Sequence, residues 1–387
     1  MSAQLAAVIG VGQTQLAHRL YMSIAEMTRQ AAERALADAN MDWNDIDAVV
    51  LGKTPDIFDG HLFPELFLAG ALGAVGKPMI RLHTAGSVGG HTAIQAAHLV
   101  QAGLFEKVLT VTYAKESEGD LNWAVSGGGI PFYSPLVAGP GGYFAPHIRA
   151  YMRRADAPDH AGIHIAYKDR RNALKNPYAH SPIPDISLEM IEQSPILWAP
   201  LRYLETCPSS DGASAMVITS EKYADAGSVP PAWVLGSACR SEASTAPRRD
   251  LVNPLGGREA AKAAYEQAGI RDPQKEIDCA ELYVPFSWYE AMWVENMGLC
   301  DEHHGWRNAL EGKNEIDGEM PINMSGGLMS GNATGATGMI RLMEAAMQVR
   351  GQAGEHQVDG ARIALGHAFG GAAQYFSVWV VGSNKPR

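Results

Sequence analysis

Two stretches far apart in the chain place small, apolar and polar residues in the same order. The first, AAERALADANMDWNDIDAVVL at 31–51, has alanines at 31, 32, 35 and 39, then a turn, an Ile-Asp pair and an apolar run. The second, AAKAAYEQAGIRDPQKEIDCAEL at 260–282, repeats the alanines at 260, 261, 264 and 268 and the Ile-Asp pair at 277 and 278. Spacing of i, i+1, i+4 and i+8 gathers small residues on one helical face, where a neighbouring element can approach closely. Each copy therefore predicts a helix followed by a strand.

After each copy the pattern again runs strand, glycine-rich turn and alanine-rich helix. These are PMIRLHTAGSVGGHTAIQAAHLVQAG at 78–103 and PINMSGGLMSGNATGATGMIRLMEAAMQVRG at 321–351. A further strand follows each, VLTVTYA at 108–114 and ARIALGHA at 361–368. Two similar α/β halves, 1–250 and 251–387, are the simplest architecture for such a duplication. Residues 120–205 interrupt it with prolines, aromatics and glycines in irregular order (GGGIPFYSPLVAGPGGYFAPH) and one helical stretch, IHIAYKDRRNALKN. A long irregular insertion of this kind serves as a lid or binding loop, so a cap over the site is expected there.

The chain's 387 residues are ample for a large core, and 46% apolar with 19% charged residues is the composition of a globular protein. A net charge of -11 and a pI near 5.6 argue against nucleic-acid and anionic-membrane partners, which need a basic surface. Arg153-Arg154 and Lys168-Asp169-Arg170-Arg171 are local basic spots that could meet a phosphorylated group, although a solvated helix face is the more ordinary reading. Four cysteines (207, 239, 279, 300) lie far apart with neither a CxxC pair nor a histidine at metal-ligand spacing. That suits a reducing cytoplasm and gives no disulfide framework or structural metal. No signal peptide and no bilayer-spanning apolar run is read in the sequence, so a cytoplasmic location is expected.

Polar residues stand where four predicted strands end: Ser87, Tyr283 in AELYVPF, Asn332 in GGLMSGNATGATG and His367 in ALGHAFGG. In open α/β folds the loops beyond strand ends converge on the ligand crevice. The adjoining glycines let backbone approach a ligand, and the helix starting near Gly90 would aim its first amides and dipole at Ser87. GSVGGHT lacks the Lys-Ser/Thr of a P-loop and the spacing of GxGxxG, which argues against nucleotide phosphates. Cys279 precedes AELY in a buried strand, and His303-His304 in DEHHGW read as exposed. Trp288, Tyr289, Met292 and Trp293 form an apolar helix face that is either core or the wall of an acyl tunnel.

Four long motifs in order carry a family resemblance: KDRRNALKNPYAH at 168–180, ETCPSSDGASAMVI at 205–218, INMSGGLMSGNATGATG at 322–338 and ALGHAFGGAAQYFSVWVVG at 364–382. Over nearly its whole length the chain resembles the thiolase superfamily, in particular the lipid-transfer-protein (sterol carrier protein X) type. The resemblance implies a five-layer αβαβα fold of two pseudo-symmetric halves with a cap insertion, a coenzyme A thioester substrate and a homodimer. It also implies that Cys207, in its motif, is structural. The family's nucleophilic cysteine falls at Ser87, the histidine of its GHPxGATG motif at Asn332, and its HDAF or NEAF motif reads Tyr283-Val284-Pro285-Phe286. His367 alone keeps a familiar catalytic residue type.

These departures weaken thiolysis. A serine hydroxyl is far harder to activate than a thiol, and returning its acyl group to a thiol is uphill. Retro-aldol cleavage of a β-hydroxyacyl-CoA needs no nucleophile, only a base, an acid and donors for the enolate oxygen. Tyr283 and His367 are the expected acid-base pair. Amides near Ser87, Gly89 and the Gly370 turn, with Asn332, are the expected oxyanion and substrate contacts. Steroid side-chain aldolases in the family have lost the cysteine and use tyrosine, one in a motif similar to ELYVPF. They work with a small OB-fold, zinc-binding partner, which the resemblance extends to this chain. No cofactor is expected beyond the coenzyme A of the substrate. Acyl transfer on a β-ketoacyl-CoA and non-catalytic acyl-CoA or lipid carriage are the alternatives.

Overall fold

Close approach of helix to strand explains the duplicated alanines. In the computed structural model, which describes all residues except 1–3, 122–123, 125–138, 244–248 and 387, helix α1 (Ile24–Asp38) lies so near strand β1 (Ala6–Gln13) that a Cβ on Gly10 would sit 2.1 Å from the Ala35 carbonyl oxygen. The second copy repeats this. A Cβ on Gly236, in strand β8 (Ala232–Ser241), would sit 2.1 Å from the Ala264 carbonyl of α7 (Leu255–Ala268). Between them the chain forms β2 (Ala48–Lys53), α2 (Glu65–Ala71), β3 (Met79–Leu82), α3 (Val88–Gln101) and β4 (Lys107–Lys115). There follow α4 (Gly139–Ala155), α5 (Ala161–Ala173), α6 (Leu188–Gln193), β5 (Ile196–Trp198), β6 (Leu201–Arg202) and β7 (Asp211–Ser220). After α7 come α8 (Pro273–Glu276), β9 (Cys279–Glu281), α9 (Trp288–Asn296), α10 (Gly305–Leu310), α11 (Thr334–Arg350), β10 (Ile363–Gly370) and β11 (Tyr375–Gly382).

Nine strands form one sheet in the order β3-β2-β4-β7-β1-β8-β11-β10-β9. The order is a mirror about the β1/β8 joint, which consists of the pairs Ala7–Trp233 and Val8–Ala232. β7 and β11 occupy matching places, as do β4 and β10, and β2 and β9. β8, which a division at residue 250 would leave in the first half, pairs along its length with β11, so the second half begins there.

Alternation along the strands separates three apolar layers. Leu109, Val111 and Tyr113 of β4 pack with Ala31 and Ala35 of α1 on one outer face. Leu365 and Val378 pack with α7 and α9 on the other. The central layer joins Val108 of β4 and Ala364 and Trp379 of β10 and β11 to Ile94 of α3 and Leu342 of α11. Helices α3 and α11 thus lie between the two half-sheets, giving five layers.

Two expectations change. The strand expected at PINM is a single bridge, Ala280 to Ile322. Pro321 offers no amide to a ladder, and Asn323 turns to φ 53°, which ends extension. Within the insertion, GPGGYFAPHIRAYMRRA is not irregular but helix α4. Ala145, Ile148, Tyr151 and Ala155 bury one stripe in the outer layer beneath α9 at helical spacing, which outweighs the bond lost at Pro146. The part of the expected cap at 125–138 lies outside the described residues.

Candidate active site

The ends of β4 and β10, the segment before β7, the segment after β9, and the first turns of α3 and α11 meet at one place. Gly370 lies so close to the nucleophile-like loop that a Cβ there would be 2.3 Å from the Ser87 amide nitrogen. A Cβ on Gly86 would be 3.6 Å from both Phe369 O and Thr334 Cγ2. Gly89 packs on α11, 2.4 Å from Met339 N by the same measure. Its lack of a side chain therefore serves the α3–α11 crossing.

Ser87 is fully buried at the start of α3. Its hydroxyl meets only Thr84 Oγ1, at 3.5 Å, among the described contacts. His91 is near, but its Nδ1 faces the Ser87 carbonyl at 3.1 Å rather than the hydroxyl. Among the described residues no base is hydrogen-bonded to this hydroxyl.

Tyr283 and Asn332 are brought together. The tyrosine hydroxyl donates to Asn332 Oδ1 at 3.2 Å, and Asn332 Nδ2 donates to Cys207 Sγ at 3.4 Å. Ser210 holds the asparagine backbone from both sides: Asn332 N donates to Ser210 Oγ at 3.1 Å, and Ser210 N donates to Asn332 O at 3.0 Å. Burial pushes the Tyr283 hydroxyl well above its ordinary range and the Cys207 thiol up to about 12, so both are neutral near pH 7.

His367 is not paired with that hydroxyl. Its Nδ1 accepts from the Tyr283 backbone amide at 3.4 Å, while Nε2 has no partner among the described residues. The ring is boxed by Trp293, Phe369 and Phe376, with centroids at 5.7, 6.2 and 6.2 Å. Burial in this apolar box lowers its pKa to about 3. The two side chains expected as an acid-base pair are thus not bonded to each other: His367 supports the Tyr283 backbone, and the hydroxyl's partner is Asn332.

Trp288, Tyr289, Met292 and Trp293 are buried in the outer core. Trp293 Nε1 donates to the Tyr283 carbonyl at 3.1 Å, so this face shapes the Tyr283 segment from behind. The KDRR spot is not a solvated face. Lys168 Nζ is buried against Glu290 at 2.7 Å and Asp169 at 3.0 Å, and Arg170 donates to the Leu204 and Thr206 carbonyls. Only Arg171 reaches outward, to Glu315. Cys279 is buried in β9, and His304 is exposed.

Two site residues were not anticipated. Cys207, taken as structural, touches Asn332. Glu116, immediately beyond β4, is buried, accepts from Thr334 N at 2.8 Å and bonds Ser209 Oγ at 2.5 Å. The rule that singled out Ser87 and His367, a polar residue at a strand end, applies equally to Glu116. Among the described residues no group of three or more His, Cys, Asp or Glu is arranged to hold a metal ion, and no helix is long and apolar enough to cross a membrane.

This architecture, two mirrored half-sheets enclosing α3 and α11, is the thiolase fold. Residues 236–383 match the family described as thiolase C-terminal domain-like. The chain is similar to thiolase-like proteins of the sterol-carrier-protein type and to steroid aldolases. It is 29% identical to sterol carrier protein 2 of Homo sapiens over 400 residues, 97% of this chain and 72% of that protein. It is 27% identical to the steroid side-chain-cleaving aldolase of Thermomonospora curvata over 372 residues, 89% of this chain and 90% of that one. A solved structure named Ltp2-ChsH2(DUF35) aldolase superposes with a TM-score of 0.86 at 25% identity, covering all of both chains.

Proposed function

We propose that the protein cleaves a carbon–carbon bond of a β-hydroxyacyl-CoA by a retro-aldol step. The carrying observation is the contrast at the site: the buried Ser87 hydroxyl has no base among the described residues, whereas the Tyr283 hydroxyl is neutral, buried and held by Asn332. The reaction moves one proton from the β-oxygen to the α-carbon. As the Cα–Cβ bond breaks, its electron pair forms the thioester enolate, and the β-oxygen keeps the carbonyl product. Those two atoms flank a single carbon, so one hydroxyl can accept the first proton while delivering its own to the enolate. Tyr283 fills that role, and a neutral phenol suits it better than a tyrosinate. The second N–H of Asn332 Nδ2 and the first-turn amides of α3 are the donors for the enolate oxygen.

Likeness to the two aldolases supports a bulky, steroid-like acyl group with a secondary or tertiary β-hydroxyl, and a DUF35-type partner protein. Coenzyme A enters as part of the substrate. The test is incubation with β-hydroxyacyl- and β-ketoacyl-CoA esters, with and without free coenzyme A and a co-expressed partner, followed by mass spectrometry. Release of aldehyde or ketone without consumption of coenzyme A is expected. Cleavage that requires free coenzyme A would instead establish an acyltransferase.

A further inference from the structure

Glu116 is a buried carboxylate that the retro-aldol step itself does not use, and its contacts surround Asn332. Its Oε1 accepts the amide of Thr334, the first residue of α11 and two beyond Asn332. Its Oε2 binds Ser209, which forms a parallel bridge with Asn332 itself. One carboxyl thus clamps both chain segments that hold the asparagine. We propose that Glu116 is a positioning residue: its carboxylate fixes Asn332, and through it the Tyr283 hydroxyl, so that its ionisation governs the pH range in which the Tyr283–Asn332–Cys207 cluster works. The catalytic part of this rests on the aldolase reading; the clamp does not.

The surroundings make ionisation near neutrality physically reasonable. Burial raises the carboxyl to about 7, against the lowering effect of the Ser209 and Thr334 hydrogen bonds. Asp211 on β7 adds a like charge, itself bonded to Lys115 at 3.0 Å and to Ser117. Cys207 and Tyr283 are also coupled to it, and Glu116 raises both. His180 stands one step further away, on Ser210 at 2.9 Å. Above pH 7 the carboxylate accepts from both clamp partners. Below it, one oxygen carries a proton and the clamp loses an acceptor.

The decisive experiment compares wild-type protein with Glu116→Gln in two measurements on the full chain. In the first, cleavage of the active CoA ester is followed from pH 5.5 to 9. Wild-type kcat is expected to rise through about pH 7. Glu116→Gln is expected to lower kcat by about 10- to 100-fold, as small displacements of a reacting group do, with KM little changed and the limb near pH 7 gone. In the second, alkylation of Cys207 by iodoacetamide is followed by peptide mass spectrometry, which needs no activity. A thiolate reacts in proportion to its population, so the rate rises about tenfold per pH unit. Wild type should show a shallower segment near pH 7, where the new carboxylate charge opposes thiolate formation, and Glu116→Gln should not. Persistence of that segment in the variant overturns the proposal. Should Glu116→Gln fail to fold, Ser209→Ala serves: loss of its hydrogen bond should move the segment to higher pH, and an unmoved segment is equally fatal. If the segment vanishes in Glu116→Gln but wild type cleaves no β-hydroxyacyl-CoA, the clamp stands and the aldolase reading falls.

Discussion

Helices α3 and α11 occupy matching positions in the two halves, each after a glycine-rich turn, and they cross where Gly89 and Gly338 leave room for each other's backbone. Their leading residues have different surroundings. At α3, Ser87 is buried with one long contact to Thr84. At α11, Asn332 and Thr334 gather Tyr283, Cys207, Ser209, Ser210 and Glu116 within hydrogen-bonding contact or one residue of it. The duplicated framework thus supplies two equivalent helix starts, and the polar chemistry lies at the second. On the proposed aldolase reading, proton transfer belongs to the second start, and the first supplies backbone amides rather than a nucleophile.

The strongest way to break this comparison is Tyr283→Phe. The phenyl ring keeps its edge contact with Phe369, at 5.5 Å between centroids, and loses only the hydroxyl bonded to Asn332. Removing an acid-base group lowers rate by roughly 10²- to 10⁴-fold. Cleavage of the β-hydroxyacyl-CoA should fall by that much while binding of the CoA ester, measured by calorimetry, stays within a few-fold. Activity close to wild type would move the chemistry away from α11.

The framework half of this comparison was legible in the sequence, and the site only partly. Alanine spacing at 31–39 and 260–268 marked the helices that β1 and β8 must approach closely, and alternation marked the strands. Polar residues at strand ends picked out Ser87, Tyr283 and Asn332, of which Tyr283 and Asn332 are hydrogen-bonded to each other. Which partner each side chain would take was not legible, because it depends on side-chain direction within a layer. His367 sits on the same face of β10 as Leu365 and Phe369, so its ring enters the aromatic outer layer and stacks on Phe369. Cys207 reaches Asn332, and Glu116 reaches the neighbouring Thr334 and Ser209, from loops whose paths are set by the sheet order.

A smaller effect sharpens the role of His367. Its folded pKa of about 3 lies below the ordinary value of 6.5, so the unfolded chain takes up a proton first as pH falls. Stability from this group is whole above about pH 6.5 and is lost progressively as pH drops toward 3, by at most about 1.4 kcal/mol per pH unit. His367→Gln keeps an acceptor for the Tyr283 amide and removes the titration. The gap between wild-type and variant melting temperatures should therefore narrow, or reverse, between pH 7 and pH 5. A constant gap would mean that the ring titrates in the fold as it does in the unfolded chain, and His367 would return as an acid.

The smallest effect is expected at the first helix start. Ser87→Ala removes one hydroxyl whose only contact is 3.5 Å long and leaves every amide of the turn in place. Alanine fits the same backbone, since Ser87 has φ -76° and ψ -2° and makes no side-chain capping bond. Cleavage should change by less than about twofold, because a hydroxyl that neither donates to the reacting atoms nor is activated contributes nothing particular to the transition state. The informative companion measurement is intact-protein mass spectrometry after rapid quenching with substrate. No acyl adduct should accumulate on wild type. A trapped acyl-serine, together with a loss of more than tenfold in Ser87→Ala, would show that the loop still supplies a nucleophile and that the two helix starts share the chemistry after all.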